Sequence, residues 1–160
     1  MLTRAAALID RSTLATRWID LLQPAALLAL RIYLAEIFFR SGWLKLADWS
    51  ATLALFADEY HVPLLPPLLA AVIGTGGELV FSVLLVLGLA GRIGALGLFL
   101  VNLMAVISYP QLMQFECTAA MGDHWFWGTL LALLVVFGPG KLSVDALLAA
   151  RLCRTSRGAS

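Results

Sequence analysis

Four stretches of the chain are nearly all apolar, and each ends at residues that stop a helix. They cover residues 24–46, 67–89, 92–109 and a shorter stretch that ends at residue 137. Glycines follow the second and fourth stretches and Pro110 follows the third, as is typical where helices end. Because a helix needs about 20 mostly apolar residues to cross a bilayer, the pattern predicts four transmembrane helices.

The fourth stretch is the least regular of the four. Its uninterrupted apolar run, residues 125–137, is too short to cross a membrane alone. The helix must therefore begin before His124, or residues 117–123 must dip into the membrane. Both alternatives place Asp123 and His124 near membrane depth.

Two further helices are predicted outside the spans. In residues 1–23, apolar and polar positions alternate at helical spacing, which is typical of a helix lying along a membrane interface. After the first span, Asp48 can cap a short helix whose apolar positions begin at Trp49 and recur at helical spacing. Near the other end of the chain, Ser143 is expected to cap an inner helix in which Asp145 has a structural role.

The composition places this chain among integral membrane proteins. Of its 160 residues, 61% are hydrophobic and 13% are charged, and the mean hydropathy is +0.91. A soluble domain has a very different balance, so the lipid bilayer is the expected surrounding. We therefore predict an all-α membrane four-helix bundle with short interfacial helices. The few basic residues are not interleaved with exposed aromatics, which argues against a nucleic-acid partner.

The basic residues outside the spans predict the orientation of the bundle. The links at 47–66 and 110–124 contain no Lys or Arg, whereas the other link and the two ends of the chain contain Arg4, Arg11, Arg17, Arg92, Lys141, Arg151, Arg154 and Arg157. Because cytoplasmic segments carry the excess of positive residues, we expect both termini in the cytoplasm. The outward loops hold several carboxylates, so the outer face is expected to be acidic.

Charged residues inside the first span raise the question of what compensates them. Placing one charge at the centre of a membrane helix costs about 2.5–3.5 kcal/mol. Glu36 and Arg40 are four residues apart and can pair on one face of the helix. If the span is centred near residue 35, Arg31 points about 140° away from Glu36. Arg31 then needs a partner on another helix, or its head must reach the interface.

The other spans supply polar candidates for these partners. Glu78 stands near the centre of the second span and Asn102 near the middle of the third. We predict one buried polar cluster that also contains Lys45 at its outer edge, and its members are Arg31, Glu36, Arg40, Lys45, Glu78 and Asn102. Two interpretations stay open. The cluster either fixes the register of the helices, or it lines a quinone or small-molecule pocket or a proton path.

A second group of polar residues lies on the predicted outer face. Its members are Glu116, Cys117, Asp123 and His124. Their spacing matches no zinc signature, so no metal site is predicted. The chain also lacks C-x-x-C, a dinucleotide fingerprint and the cysteine sets of haem and iron–sulfur proteins. We therefore predict no covalent cofactor, and any redox chemistry would need a quinone or a partner subunit.

Three stretches carry a resemblance to a known family. They are RIYLAEIFFRSGWLKLADW (residues 31–49), GGELVFSVLLVLGLAGRIGALGL (76–98) and GPGKLSVDALL (138–148). In order and spacing they resemble the DoxX family of small four-helix bacterial membrane proteins. The resemblance implies a membrane domain over residues 24–150, between the segment 1–23 and a basic cytoplasmic tail at 151–160. It also implies a multi-pass protein of the bacterial inner membrane.

The resemblance suggests a function without fixing it. Family members are associated with quinone-linked sulfur oxidation and with membrane complexes for redox defence. One hypothesis is therefore a redox-complex subunit that docks a quinone, with Arg40, Glu78 and Trp43 shaping the site and a soluble or membrane redox partner on the outer face. A small transporter or proton path is a second hypothesis, and an assembly scaffold is a third. A homodimer is also plausible, with the glycines of residues 74–77 as one candidate contact.

Overall fold

The computed structural model describes residues 2–109 and 118–157, with side chains described for 19–109 and 119–154. Within these ranges the chain forms six helices and no strand. They are α1 (Leu2–Ala47), α2 (Trp49–Asp58), α3 (Pro67–Leu87), α4 (Gly91–Ser108), α5 (Thr118–Phe137) and α6 (Val144–Arg157). Four of them contain segments long and apolar enough to cross a membrane, namely Ile19–Ala47, Pro67–Leu87, Gly91–Ser108 and Ala119–Phe137. The predicted all-α fold with four spans is confirmed.

The four long helices pack in the order α1, α3, α4 and α5, and α2 covers the start of α3. Side chains of α1 and α5 also meet in the core, where the rings of Phe38 and Trp127 pack edge to face at 6.0 Å. Helices α1 and α4 end at the same end of the bundle, and we call it the α2 end. The opposite end, where α3 and α5 finish, is the α6 end.

Helix α1 is continuous through Pro24 and has 46 residues. At 1.5 Å per residue it is about 69 Å long, roughly twice the thickness of a hydrocarbon core. The helix boundary expected before Pro24 is therefore wrong. Pro24 lies about 10 Å along α1 before Arg31, whose side chain binds the last carbonyls of α3, so the missing N–H of Pro24 falls where α1 has passed the end of α3. That residues 1–23 lie along an interface stays a prediction.

Close contacts with α3 set the depth of α1. A Cβ added at Gly42 would lie 3.0 Å from Cβ of Glu78, so the backbones approach closely at the middle of α3. Arg31 contacts the end of the same helix. The middle of α3 therefore lies level with Gly42 of α1, whereas a centre of the first span near residue 35 stays a prediction.

The fourth span begins before His124, which is the first of the two alternatives that the sequence left open. Helix α5 starts at Thr118, and its apolar segment runs from Ala119 to Phe137. The helix therefore gains its length from the less apolar residues that precede the aromatic run, and Asp123 and His124 both lie on it.

Short-range caps define the ends of the shorter elements. The carboxylate of Asp48 accepts a hydrogen bond from the backbone N–H of Ala51 at 3.0 Å, which confirms the predicted start of α2 and lowers the pKa of Asp48. The hydroxyl of Ser143 accepts from the N–H of Ala146 at 3.2 Å, which confirms the cap of α6. Helix α3 ends at Gly88, whose φ of +63° favours glycine.

Asp145 joins the start of α6 to the start of α4. Its two carboxylate oxygens accept hydrogen bonds from the backbone N–H groups of Ala90 at 2.9 Å and Gly91 at 3.0 Å. These N–H groups belong to a helix start, which leaves its first donors without partners inside the helix. The structural role expected for Asp145 is confirmed, and the carboxylate serves α4 as well as its own helix.

Replacing Asp145 with Ala should destabilise the bundle, because two backbone donors lose their acceptor. We expect a loss of about 1–2 kcal/mol in the free energy of unfolding, measured by denaturant titration in mixed micelles with far-ultraviolet circular dichroism. Asp58→Ala, which removes an exposed carboxylate at the end of α2, is the matched control. Equal losses in the two variants would contradict the capping role.

Candidate functional site

Arg31 is completely buried and caps the end of α3. Its Nη1 donates to the backbone carbonyls of Leu85 and Val86 at 3.4 and 3.3 Å, and its Nη2 donates to the carbonyl of Leu142. The last carbonyls of a helix have no partner within the helix. Arg31 therefore has the partner on another element that it needs, but the partner is backbone rather than Glu78. Its contacts tie α1 to the α6 end of the bundle.

Glu36 and Arg40 lie on the exposed side of α1. Among the side chains that the structure describes, no ion pair joins them to each other or to a third residue. At 100° per residue, Arg40 is about 180° from Arg31 around the helix axis. The prediction of a single buried cluster is thus wrong, because α1 packs against α3 with the face that carries Arg31 and Lys45.

Lys45 and Glu78 form an ion pair at the middle of the bundle. Nζ of Lys45 is 2.8 Å from both carboxylate oxygens of Glu78, which is only 8% exposed. The hydroxyl of Ser41 accepts from Nζ at 2.7 Å and donates to Oε1 of Glu78 at 3.3 Å. Each charged group therefore has an opposite charge and a hydroxyl as partners, as a buried ion pair requires.

A cavity of about 290 Å³ lies beside this ion pair, between α2, α3 and α4. Its walls are apolar, and they include Phe56, Val62, Ile73, Phe81, Leu100 and Met104. Glycines of α3 and α4 face the same space. A Cβ at Gly77 would lie 3.0 Å from the side chain of Val101, and a Cβ at Gly97 would overlap the ring of Phe81. Small residues at these positions let α3 and α4 approach without closing the cavity.

Few polar groups besides the ion pair face the cavity. Ser108 lines it and is completely buried, and its hydroxyl has no hydrogen-bond partner among the described residues. Tyr60 lines the α2 end, where its ring stacks between Phe56 at 4.8 Å and Tyr109 at 5.0 Å. Burial raises the pKa of Tyr60 to about 12, and nearby negative charges, that of Glu78 first, act in the same direction.

Asn102 belongs to a separate contact between α4 and α5. Its Nδ2 donates to the backbone carbonyl of His124 at 2.9 Å, and its Oδ1 is 2.8 Å from Nδ1 of the same residue. If Nδ1 carries the proton, both groups of the Asn102 amide are satisfied. Gly128 makes room for the amide, because a Cβ there would lie 3.1 Å from Nδ2. This contact holds two spans together in the apolar interior.

The predicted outer-face group is only partly described. Glu116 and Cys117 lie outside the described residues. Asp123 is exposed, and His124 is turned towards Asn102 and Trp127, with its ring 5.2 Å from the latter. In the part of the chain that the structure describes, no three potential metal ligands of the His, Cys, Asp and Glu types come together.

Sequence reasoning found the ion-pair residues but missed their immediate neighbours. Ser41 stands four residues before Lys45, a spacing that places both on one helix face and was a usable signal. Ser108 and the ring of Tyr60 gave no such signal, because their role follows from a cavity that forms between helices. Trp43, expected near a headgroup site, is 57% exposed on α1 and does not line the cavity.

Comparisons with known proteins give one family and one relative. The DoxX family model matches residues 26–111 of the chain. A protein of Haemophilus influenzae that bears the name "Uncharacterized protein" is 31% identical over 128 residues, which are 77% of this chain and 83% of that protein. No solved structure matches.

The raised pKa of Tyr60 has a measurable consequence. Tyr60 keeps its proton in the folded protein up to a pH of about 12, whereas an unfolded tyrosine loses it near pH 10. Stability should therefore be full below pH 10 and fall as the pH rises from 10 to 12. We expect the ultraviolet absorbance of phenolate to rise near pH 12 in the wild type and this rise to be smaller in Tyr60→Phe. An unchanged rise in Tyr60→Phe would contradict the assignment.

Asn102 and His124 should stabilise the bundle jointly. In a double-mutant cycle with Asn102→Ala and His124→Ala, we expect a coupling of about 0.6 kcal/mol, and at most about 1.7 kcal/mol, since buried hydrogen bonds in membrane proteins have this range. The unfolding free energy in mixed micelles is the measurement. The pair Asn102→Ala and Thr129→Ala, which shares no contact, should be additive within error.

Proposed function

The chain belongs to the DoxX family, and we propose that this multi-pass membrane protein binds a quinone in the cavity beside Lys45 and Glu78, as a subunit of a quinone-linked redox complex. The observation that carries the proposal is a buried ion pair facing an apolar cavity. Binding sites for small molecules are typically apolar pockets with a few convergent polar groups. At about 290 Å³ the cavity is close to the lower end of their usual volumes, roughly 300–1,000 Å³.

The polar groups of the cavity suit the two ends of a quinone headgroup. Lys45 and Ser108 both line the cavity. The ammonium group of Lys45 can bind one carbonyl oxygen by moving one of its three hydrogen bonds away from Ser41 or Glu78, and the hydroxyl of Ser108, which has no partner among the described residues, can donate to another. When a quinone is reduced to a quinol, its oxygens take up protons. The reduction takes two electrons, which the redox partner supplies, and two protons. We assign one proton to the ammonium group of Lys45, which is recharged from solvent at the α2 end beside the carboxylate of Glu78, and the second proton comes from the same solvent.

The proposal replaces two residues of the earlier hypothesis. Arg40 and Trp43 are exposed on α1 and do not line the cavity, so Lys45 takes the place assigned to Arg40. Arg31 and Asn102 bind backbone carbonyls and His124, and we assign them to helix packing. A scaffold role accounts for these two residues, but it gives no reason for an ion pair beside a cavity.

The electrons must come from another protein in this proposal, because no redox centre is assigned to the chain itself. The α2 end carries the carboxylates of Asp48, Asp58 and Glu59, and we propose that a redox partner with a basic surface docks there. The distribution of Lys and Arg along the sequence supports placing this end outside the cytoplasm, in a bacterial inner membrane.

The first test is retention of quinone by the protein purified gently in detergent, measured by organic extraction and mass spectrometry. We expect quinone with the wild type and a loss of about 10- to 100-fold in Lys45→Met and Glu78→Gln, which is the effect of losing a charge-assisted hydrogen bond. Arg40→Gln, which removes a charge from the exposed side of α1, is the matched control and should retain quinone.

A second variant separates binding from folding. Ala105 lines the cavity, and Ala105→Phe fills it while leaving the ion pair unchanged. Its thermal unfolding should match that of the wild type, and its quinone content should fall. A quinone content equal to that of the wild type would place the ligand elsewhere. A folded wild type that retains no quinone, and that carries solutes across liposome membranes without a partner, would favour transport.

A further inference from the structure

Two seams of side chains run along α1 with the spacing of a coiled coil. The first seam consists of Leu27, Arg31, Leu34, Phe38, Ser41 and Lys45, which follow one another at intervals of four and three residues. These residues bind α3 or pack in the core of the bundle. The spacing is the one that lets two helices pack along their whole length. The first seam is therefore fully used within one chain.

A second seam lies on the opposite side of α1 and repeats the same spacing. Its members are Ala26, Ala29, Tyr33, Glu36, Arg40, Trp43 and Ala47, at intervals of three and four residues, and we call it the open seam. Every one of them is exposed, including the rings of Tyr33 and Trp43 at 46% and 57%. Trp43 stacks on Phe39 and borders a groove beside α3, whereas the other six members face away from the described part of the bundle.

The charges of the open seam lie at membrane depth. Arg31 is level with the end of α3 and Gly42 with its middle, and Glu36 and Arg40 fall between these levels. Hydrocarbon cannot solvate either charge, and each costs about 2.5–3.5 kcal/mol when it has no partner. A protein surface with matching charges that covers this face would supply the partners that Glu36 and Arg40 lack among the described side chains.

We propose that the open seam is the interface of a homodimer. Two copies in one membrane share the same orientation, so a two-fold axis along the membrane normal brings the two α1 helices side by side and parallel. Each copy contributes one carboxylate and one guanidinium about one turn apart. Side chains of a helix lean towards its N-terminus, so Arg40 of one copy leans towards the level of Glu36 of the partner subunit.

The charge pattern favours a second copy over the other occupants of a membrane surface. The seam is self-complementary, because the acid and the base of one copy match the base and the acid of the other. An anionic lipid would satisfy Arg40 but would repel Glu36. Ala26 and Ala29 are small and allow the backbones to approach closely at the α6 end, which adds a shape argument to the charge argument.

The test is disulfide crosslinking of the full chain in its membrane. In a background with Cys117→Ser and Cys153→Ser, Ala29→Cys places a thiol in the open seam at the α6 end. Val136→Cys is the control, because Val136 is 67% exposed on α5 at the same end. We expect about tenfold more crosslinked dimer with Ala29→Cys, since a disulfide needs Cα atoms within roughly 7 Å. Equal crosslinking in the two variants would overturn the proposal.

Charge reversal then tests the pairing itself. In the Ala29→Cys background, Glu36→Arg should abolish the dimer, and the further change Arg40→Glu should restore it, because the doubly exchanged seam is again self-complementary. Failure of the double exchange to restore crosslinking, or crosslinking of Ala29→Cys to a different protein, would overturn the homodimer. The dimer does not depend on the quinone proposal, and quinone retention measured on the same variants reports on the cavity separately.

Discussion

Hydrocarbon offers no hydrogen bonds, so a charged group inside the bundle needs a partner within the protein. This constraint fixes how α1 lies against α3. Arg31 binds the carbonyls that end α3, and Lys45 binds Glu78 at its middle. The two contacts are about 21 Å apart along α1, and shifting the helix by one turn would break both. The cavity depends on the same register, because it forms where the ion pair lies opposite the glycines of α3 and α4.

The elements could be predicted from the sequence because their signals are local. Span lengths follow from apolar runs, and the cap of α2 follows from Asp48. The register could not be predicted, because apolar length places the centre of a helix only within several residues. The contact of Gly42 with Glu78 sets this register, and it joins residues on two different helices. The rule that Pro starts or breaks a helix also failed at Pro24, where α1 continues beyond the end of its partner helix.

The candidate site, like the fold, could be predicted only in part. Helical periodicity placed Arg31 about 140° from Glu36 around α1, and the structure agrees, since Arg31 is buried and Glu36 is exposed. It did not tell which side faces α3, so the predicted cluster mixed inward and outward charges. The cavity had no sequence signal of its own, since it is the space that α2, α3 and α4 leave between them.

The two faces of α1 carry similar charged residues, but these residues have different roles. Of the inward charges, Lys45 is paired with Glu78 and borders the cavity, and Arg31 binds the backbone carbonyls that end α3. The outward pair, Glu36 and Arg40, is neutral in sum and has no partner among the described side chains. Since Arg40 is about 180° from Arg31 around the axis, a dimer through the open seam would place α1 at the two-fold axis and each cavity on the far side of its own α1.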